Sequence, residues 1–311
     1  MRIVFLGSGR FAIPSFEALL DAGHDVPALV TQPDRERGRG QALAPPPIKP
    51  VAERRGIRVL QPRRVREPEA QEALRQLEPE LQVVVAFGQI LPRGVIDIAP
   101  RGTVNVHASL LPKLRGAAPI QWAIATGETQ TGVTTMLIDE GLDTGPLLLA
   151  RSTPIDPEET SAQLEPRLAR LGAELLLETV GGLSGGTLLP VPQEAARATL
   201  APILKKEDGR IDWSAPAAVI ACRARGFLPW PGAFTLHEGR LLKALRVREA
   251  PAAAPAAAAG TVLAVSSDGV VVACGEGTGL RLVEVQPESR RAMPASAWAA
   301  GARLRPGARL G

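Results

Sequence analysis

Tyrosine is absent from this chain of 311 residues, aromatic residues of all kinds make up 3%, and asparagine occurs once, at Asn105. Codon bias or selection against thermolabile residues can each produce such a composition. Under either pressure, the one asparagine that remains is a candidate for chemistry. Cysteine is nearly as scarce: Cys222 and Cys274 have neither disulfide nor metal spacing and read as small buried apolar residues. No cluster of ligand-type residues calls for a metal. No run approaches the ~20 apolar residues of a membrane span, and the opening "MRIVFLGSG" goes straight into a strand and turn rather than a signal peptide. Disulfide scaffolds and membrane spans are thereby excluded, and a cytoplasmic location is expected.

What is present is an ordinary globular composition, 45% apolar and 22% charged, at a length that suggests two domains. Its charge is unevenly placed. Residues 1–203 carry 21 Lys and Arg against 23 Asp and Glu, whereas residues 204–311 carry 15 against 9. A basic second part suggests an anionic partner, nucleic acid among the options, with scattered surface arginine as the bland alternative.

The first half alternates apolar runs that read as buried parallel strands (2–6, 26–31, 57–60, 81–87, 104–107) with helical patterns (13–22, 48–55, 68–77, 93–98). Two further strands (131–138, 146–152) and a long amphipathic helix (161–183) follow. This is the pattern of a doubly wound, mostly parallel Rossmann-like α/β sheet over residues 1–183. Residues 184–206 hold turn formers without a periodic run and read as a linker over the surface. After a helix near 215–225, short strands at 233–237, 241–247, 260–265, 270–274 and 280–285 suggest that residues 207–311 form a small β-barrel. The tract "PAAAPAAAA" (251–259) reads as a low-complexity loop between two of these strands. Trp213, Trp230 and Trp298 read as packing residues rather than base-stacking platforms.

Gly7, Gly9 and Ala12 match a dinucleotide-binding turn, with Asp34 near the position of a ribose-binding acid. A nicotinamide-dependent (NAD(P)) oxidoreductase is therefore one reading, weakened because any tight strand-to-helix turn needs glycine. A second constellation carries more chemistry. Asn105 and His107 lie two apart on a strand and share a face at its carboxyl end, where doubly wound sheets bind ligands. Asp143 follows in the Gly-rich loop "DEGLDTGP". An amide, an imidazole and a carboxylate suit acyl transfer between nitrogens: Asn105 donates to a developing oxyanion, while His107 and Asp143 manage protons. No Ser or Cys has the setting of a nucleophile, which favours direct transfer. Taken singly, each residue also has a structural reading, as a satisfied strand-end histidine or a turn-forming aspartate.

"NVHASLLPKLRGAAPIQWAI" resembles the signature of 10-formyltetrahydrofolate-dependent formyltransferases, and "DEGLDTGPLL" is similar to that family's acidic loop. The resemblance implies that Asn105, His107 and Asp143 are the catalytic trio. It also implies that the pterin of the folate co-substrate is held by Phe87, Gly88, Gln89, Ile90 and Leu91, by Ser109, Leu110, Leu111 and Pro112, and by the main chain around Ile138 and Asp139. "TQPDRERGRGQALAPPPIKPVAERRGI" resembles a loop of those members that formylate initiator methionyl-tRNA. Arg35, Arg37, Arg39 and Lys49 would contact the acceptor stem from a segment too rich in Pro and Gly to fold alone. "ILKKEDGRIDW" and "RARGFLPWPGAF" resemble the start of the same members' OB-like second domain. Lys205, Lys206, Arg223, Arg225, Lys243, Arg246 and Arg248 there are candidate phosphate contacts. The first turn departs from the family, which more often has Gly-Thr-Pro than Gly-Ser-Gly. The expectation is a monomeric, metal-free enzyme that formylates initiator methionyl-tRNA in support of translation initiation. The alternatives are a folate formyltransferase acting on an amino sugar or nucleotide amine, and the oxidoreductase.

Overall fold

A computed structural model describes residues 1–37, 42–251 and 257–311. By density of contacts the chain falls into two units. The first holds Met1–Pro119, Thr131–Thr153 and Glu165–Ala201, and the second holds Ile120–Gln130, Pro154–Leu164 and Pro202–Gly311. No described helix is long and apolar enough to cross a membrane.

In the first unit the strands are β1 (Ile3–Gly7), β2 (Ala28–Val30), a hairpin β3 (Arg35–Arg37) and β4 (Ala42–Ala44), β5 (Arg58–Leu60), β6 (Leu81–Val85), β7 (Thr103–His107), β8 (Gln130–Leu137) and β9 (Leu147–Pro154). All but the hairpin form one sheet in the order β5-β2-β1-β6-β7-β8-β9. The first five positions of that order run parallel, and β8 is antiparallel to β7. β1 and β6 are buried at every residue, as strands covered on both faces must be. Helices α1 (Ile13–Asp21), α2 (Lys49–Arg54) and α3 (Pro68–Arg75) each begin with proline in the first turn, where its missing N–H costs nothing. A short α4 (Arg93–Ile96) follows β6.

The chain leaves β1 for β2 on one side and returns to β6 on the other. In doubly wound sheets such a reversal is where ligands bind, beyond the carboxyl ends of the strands, and here it falls between β1 and β6, next to β7. Gly7, the last residue of β1, is glycine for a packing reason: a Cβ there would stand 2.7 Å from the Phe5 ring and 3.0 Å from Val85 O. The sequence reading omitted α5 (Pro119–Ala125) and extended several elements by one or two residues. The segment around β3 and β4, expected to lack structure of its own, pairs antiparallel from Arg35↔Ala44 to Arg37↔Ala42. Helix α6 (Ser161–Gly185) runs on past Pro166.

The second unit contains α7 (Ala217–Gly226), then β10 (Ala233–His237), β11 (Arg240–Ala250), β12 (Val262–Ser266), β13 (Gly269–Ala273), β14 (Gly279–Pro287), β15 (Met293–Pro294) and α8 (Ala295–Gly301). Its antiparallel sheet runs β10-β11-β14-β13-β12, with β15 added to β14. The C-terminal tail ties the two edges: Leu310 N–H donates to Gly260 O at 2.9 Å and Gly311 N–H to Leu236 O at 3.0 Å. Leu242, Val270, Val272, Leu280, Leu282 and Val285 form the core with Trp213 and Trp298. Trp230, expected to pack, instead stands 56% exposed. Cys274 is buried as expected, whereas Cys222 is only partly covered.

Candidate active site

Asn105 and His107 sit on alternate positions at the carboxyl end of β7, and the Asp139–Gly145 loop brings Asp143 to them. The Asn105 Nδ2 lies 3.5 Å from Asp143 Oδ1, and His107 Nδ1 lies 3.7 Å from Asp143 Oδ2. His107 is buried and Asp143 nearly so. The other ring nitrogen, His107 Nε2, is 3.0 Å from Leu114 O. A carbonyl only accepts, so Nε2 carries the hydrogen. In the neutral ring the nitrogen facing Asp143 is then the one with the lone pair.

The carboxylate oxygen that faces His107 is itself held by the main chain. Gly116 N–H donates to Asp143 Oδ2 at 2.8 Å. Gly116 has φ +124°, and a Cβ there would stand 2.6 Å from Ala201 O, so only glycine brings this N–H to the acid. Asp143 itself has φ +51°, a left-handed conformation sparsely populated by non-glycine residues. Such strain persists where the surroundings over-determine it and gathers at functional sites.

Of the residues expected to hold the pterin, Phe87 and Leu91 are buried in one apolar cluster, on which Ile138 packs. The loop that carries them begins at Ala86, another left-handed non-glycine at φ +47°, and Gly88, two residues on, has φ +79°. Ser8 Oγ and Gln32 Nε2 both donate to Phe87 O at 3.1 Å. The Gln89 amide is engaged internally, accepting from Val65 N–H at 2.7 Å and donating to Pro62 O at 3.3 Å. Ile90 is 92% exposed at the loop tip. The Ser109 hydroxyl donates to Lys113 O at 2.6 Å and closes the Leu110–Leu111–Pro112 turn. Thr134 Oγ1 backs that turn, donating to Ser109 O at 2.7 Å and accepting from Leu111 N–H at 3.1 Å. Asp139 Oδ1 accepts from Gly141 N–H and Thr144 Oγ1, at 3.1 and 2.6 Å. Ser109, Gln89 and Asp139 thus shape their loops with their side chains.

The basic residues separate into free and engaged groups. Lys49 Nζ pairs with both Asp34 oxygens at 3.0 and 2.8 Å, and Gln61 Nε2 adds a 2.6 Å bond. These partners hold the Asp34 carboxyl below its ordinary range, the bond from Lys49 foremost. Asp34 is therefore the anchor of the β3–β4 hairpin rather than an open ribose-binding acid. Arg35 Nη2 reaches Gln32 Oε1 at 2.9 Å. Arg39 lies outside the described residues, as does the side chain of Arg37. In the second unit Lys205, Lys206, Arg223 and Arg246 are exposed, and Lys243 is half-buried. Arg225 is turned inward to Glu159 O at 3.0 Å, and Arg248 is 3.7 Å from Glu158. Arg246 and Arg248 line a surface cavity of about 660 Å³ with Arg281, which the sequence reading overlooked. Also overlooked was Gln193, which bonds the Asp143 loop from a segment without periodicity.

A doubly wound sheet with an amide, an imidazole and a carboxylate at its carboxyl edge, followed by an antiparallel unit, defines a class. The chain belongs to the formyl transferase family: its residues 1–180 match the "Formyl transferase" model and residues 203–303 the "Formyl transferase, C-terminal domain" model. More particularly, it is 54% identical over 311 residues to a methionyl-tRNA formyltransferase of Solibacter usitatus, covering 100% of this chain and 99% of that one. A protein of the same name from Myxococcus xanthus is 50% identical over 306 residues, covering 98% and 96%. Among solved structures, an N-formyltransferase from Helicobacter canadensis, in complex with folinic acid and dTDP-3-aminofucose, superposes with TM-score 0.67 at 16% identity, covering 92% of this chain and 98% of that one. HypX from Aquifex aeolicus in complex with tetrahydrofolic acid gives 0.63 at 19%, covering 96% of this chain. The chain spans about half of HypX, 47%. At such identities these two likenesses speak for the fold. The family leaves the oxidoreductase reading of Gly7 and Gly9 unfavoured.

Proposed function

We propose that this chain transfers the formyl group of 10-formyltetrahydrofolate to the α-amino group of methionine esterified to initiator tRNA. The observation that carries the reading is the meeting of Asn105, His107 and Asp143 at the end of β7. Its support is a chain-long similarity to proteins named for that reaction. A folate fits the residues present. Phe87, Leu91 and Ile138 offer a packed apolar wall, and Ile90 an exposed apolar tip. The Ser109–Pro112 turn and the main chain around Ile138 and Asp139 complete the set proposed to hold the pterin. When bound, 10-formyltetrahydrofolate supplies the formyl group.

The chain's own residues do the rest by position. Asn105 Nδ2 has two hydrogens and at most one is directed at Asp143, so the other is available to the oxygen that gains charge. His107, with its Nε2 hydrogen committed to Leu114 O, takes the attacking amine's proton at Nδ1 and gives it to the nitrogen that the formyl group leaves, so that one C–N bond breaks as the other forms. Asp143 faces Nδ1 as an acceptor, its Oδ2 3.7 Å away. The buried setting around His107 limits water and strengthens each of these contacts.

The tRNA is proposed to lie on basic residues that are exposed, Arg35 on the hairpin, Lys205, Lys206, Arg223, Arg246 and Arg248, and on the half-buried Lys243. Phosphate contacts of this kind give sequence-tolerant, salt-sensitive binding. Residues 1–183 serve as the catalytic part and 207–311 as an OB-like tRNA-binding part joined through 184–206, and the enzyme acts in the cytoplasm as a monomer. The test offers methionyl-initiator tRNA, free methionine and glycinamide ribonucleotide in parallel with 10-formyltetrahydrofolate. Formylation of the charged tRNA alone is expected. Transfer to a small amine instead would keep the chemistry and overturn the acceptor, and no transfer at all would overturn both.

A further inference from the structure

Between Thr187 and Ala201 the chain lies mostly exposed, but Gln193 turns its side chain inward. Its amide nitrogen donates to two main-chain carbonyls of the acidic loop, Asp143 O and Gly145 O, each at 2.8 Å. Its amide oxygen accepts from Arg115 Nε and Nη2 at 3.1 and 2.7 Å. Both hydrogens and both lone pairs of the amide are therefore used. Arg115 is followed by Gly116, whose N–H holds the Asp143 carboxylate. The bonds close a ring: from the Asp143 main chain to Gln193, to Arg115, along the chain to Gly116, and back to the Asp143 side chain. A residue whose main chain and carboxylate are both held in one ring has little freedom to turn away from His107 and Asn105.

We propose that Gln193 is a positioning residue for formyl transfer: it fixes the left-handed turn at Asp143 and so aims the carboxylate, without touching substrate. The inference rests on the role proposed above for Asp143. The turn is of the strained kind that its surroundings must impose, and Gln193 bonds carbonyls at its start and just beyond it. The segment does not depend on Gln193 for its course. Val191 and Leu147 exchange main-chain bonds at 2.7 and 2.8 Å. On the far side, Arg115 N–H donates to Thr199 O at 2.9 Å and Ala201 N–H to Arg115 O at 2.7 Å. Removing the amide therefore loosens the acidic loop while its frame stays in place.

Two variants separate the contacts. Gln193→Met keeps length and removes every hydrogen bond. Gln193→Glu keeps an acceptor for Arg115 but presents oxygen to two carbonyls. Formylation kinetics, thermal melting and main-chain hydrogen exchange of residues 141–146 are measured on the full chain beside wild type. Both variants are expected to lose about 10- to 100-fold in kcat, the scale of a small misplacement at a reacting centre. KM for either substrate should stay within about threefold of wild type, melting near wild type, and exchange at 141–146 should quicken. In an Asp143→Asn background, Gln193→Met should add less than about threefold, because residues acting through one group are not additive. Unchanged kcat or unchanged exchange in Gln193→Met would overturn the proposal, as would full multiplication of the two losses. Wild-type activity in Gln193→Glu would do so too, by assigning the effect to Arg115. A wild-type chain that formylates no tRNA refutes the functional reading instead, while the exchange measurement still reports on the clamp.

Discussion

Asp143→Asn is the sharpest test of the proton chemistry, because it removes charge and almost no volume. The structure states what else it disturbs. One carboxylate oxygen accepts from Gly116 N–H at 2.8 Å, and the other faces Asn105 Nδ2 at 3.5 Å. An asparagine at 143 presents only one acceptor, so either amide orientation sets an N–H against one of those donors. The favourable orientation keeps the shorter, Gly116 bond and loses the longer contact, leaving the fold nearly unaltered. What disappears is the negative charge 3.7 Å from His107 Nδ1. At that range two unit charges interact by roughly 4 kcal/mol with an effective dielectric of about 20, or about three orders of magnitude in rate. That falls inside the ~10²–10⁴-fold assigned to positioned acid–base groups. Single-turnover formylation of methionyl-initiator tRNA, followed by separating formylated from free aminoacyl-tRNA, should therefore show kcat reduced by about 10³-fold, with KM for tRNA little changed. A rate within tenfold of wild type, in a variant that melts like wild type, would remove Asp143 from the mechanism and leave its contacts as loop architecture.

Three further outcomes are expected. Asn105→Ala should lower kcat by about 10²–10³-fold with tRNA affinity held, since its amide is assigned to the oxygen that gains charge; a loss confined to KM would make it a binding residue. Asp34→Asn should raise KM for tRNA and leave KM for the folate unchanged, by loosening the anchor that Lys49 and Gln61 make at the hairpin. Because Asp34 is held below the ordinary carboxylate range, its contribution is fully present above that range and is lost as pH falls through the depressed value. Wild type but not Asp34→Asn should therefore show hairpin exchange rising at that acidic edge. Burial pushes the Cys274 thiol up to about 11, so a thiol reagent at pH 8 should label no more than Cys222 in the folded chain and both cysteines after unfolding. Labelling of both in the native protein would show that the second core opens readily.

What could be read in advance divides by the range of the forces involved. β1 and β6 announce themselves because a strand buried on both faces must be apolar throughout, and that demand is local to five residues each. Asn105 and His107 were placed together by the same local rule, two residues apart on one strand. Asp143 joins them in the sequence through its chemistry and its Gly-rich setting, and the family's motif supplies its role; no local pattern states its contact with Asn105, 38 residues away. The hairpin at Arg35–Ala44 escaped because arginine and alanine carry no strand pattern. It is held at its root by Lys49 and Gln61, from 15 and 27 residues away.

Gln193 marks the far end of that scale. Its neighbours are prolines and exposed polar residues, and its segment pairs with Leu147 and with the Arg115 loop only through isolated main-chain bridges. No periodicity results from bridges one residue long, so a turn-rich stretch reads as a connection even where it is a brace. The useful signal is one of chemistry. Asp143 is a non-glycine residue in a left-handed turn, and its carboxylate is aimed at a buried histidine. Both features require outside support, and a side-chain amide with two donors is the group suited to bind two adjacent carbonyls at once. The acidic loop and Gln193 are therefore parts of a single hydrogen-bonded unit, and the proposed active site reaches along the sequence at least to residue 193.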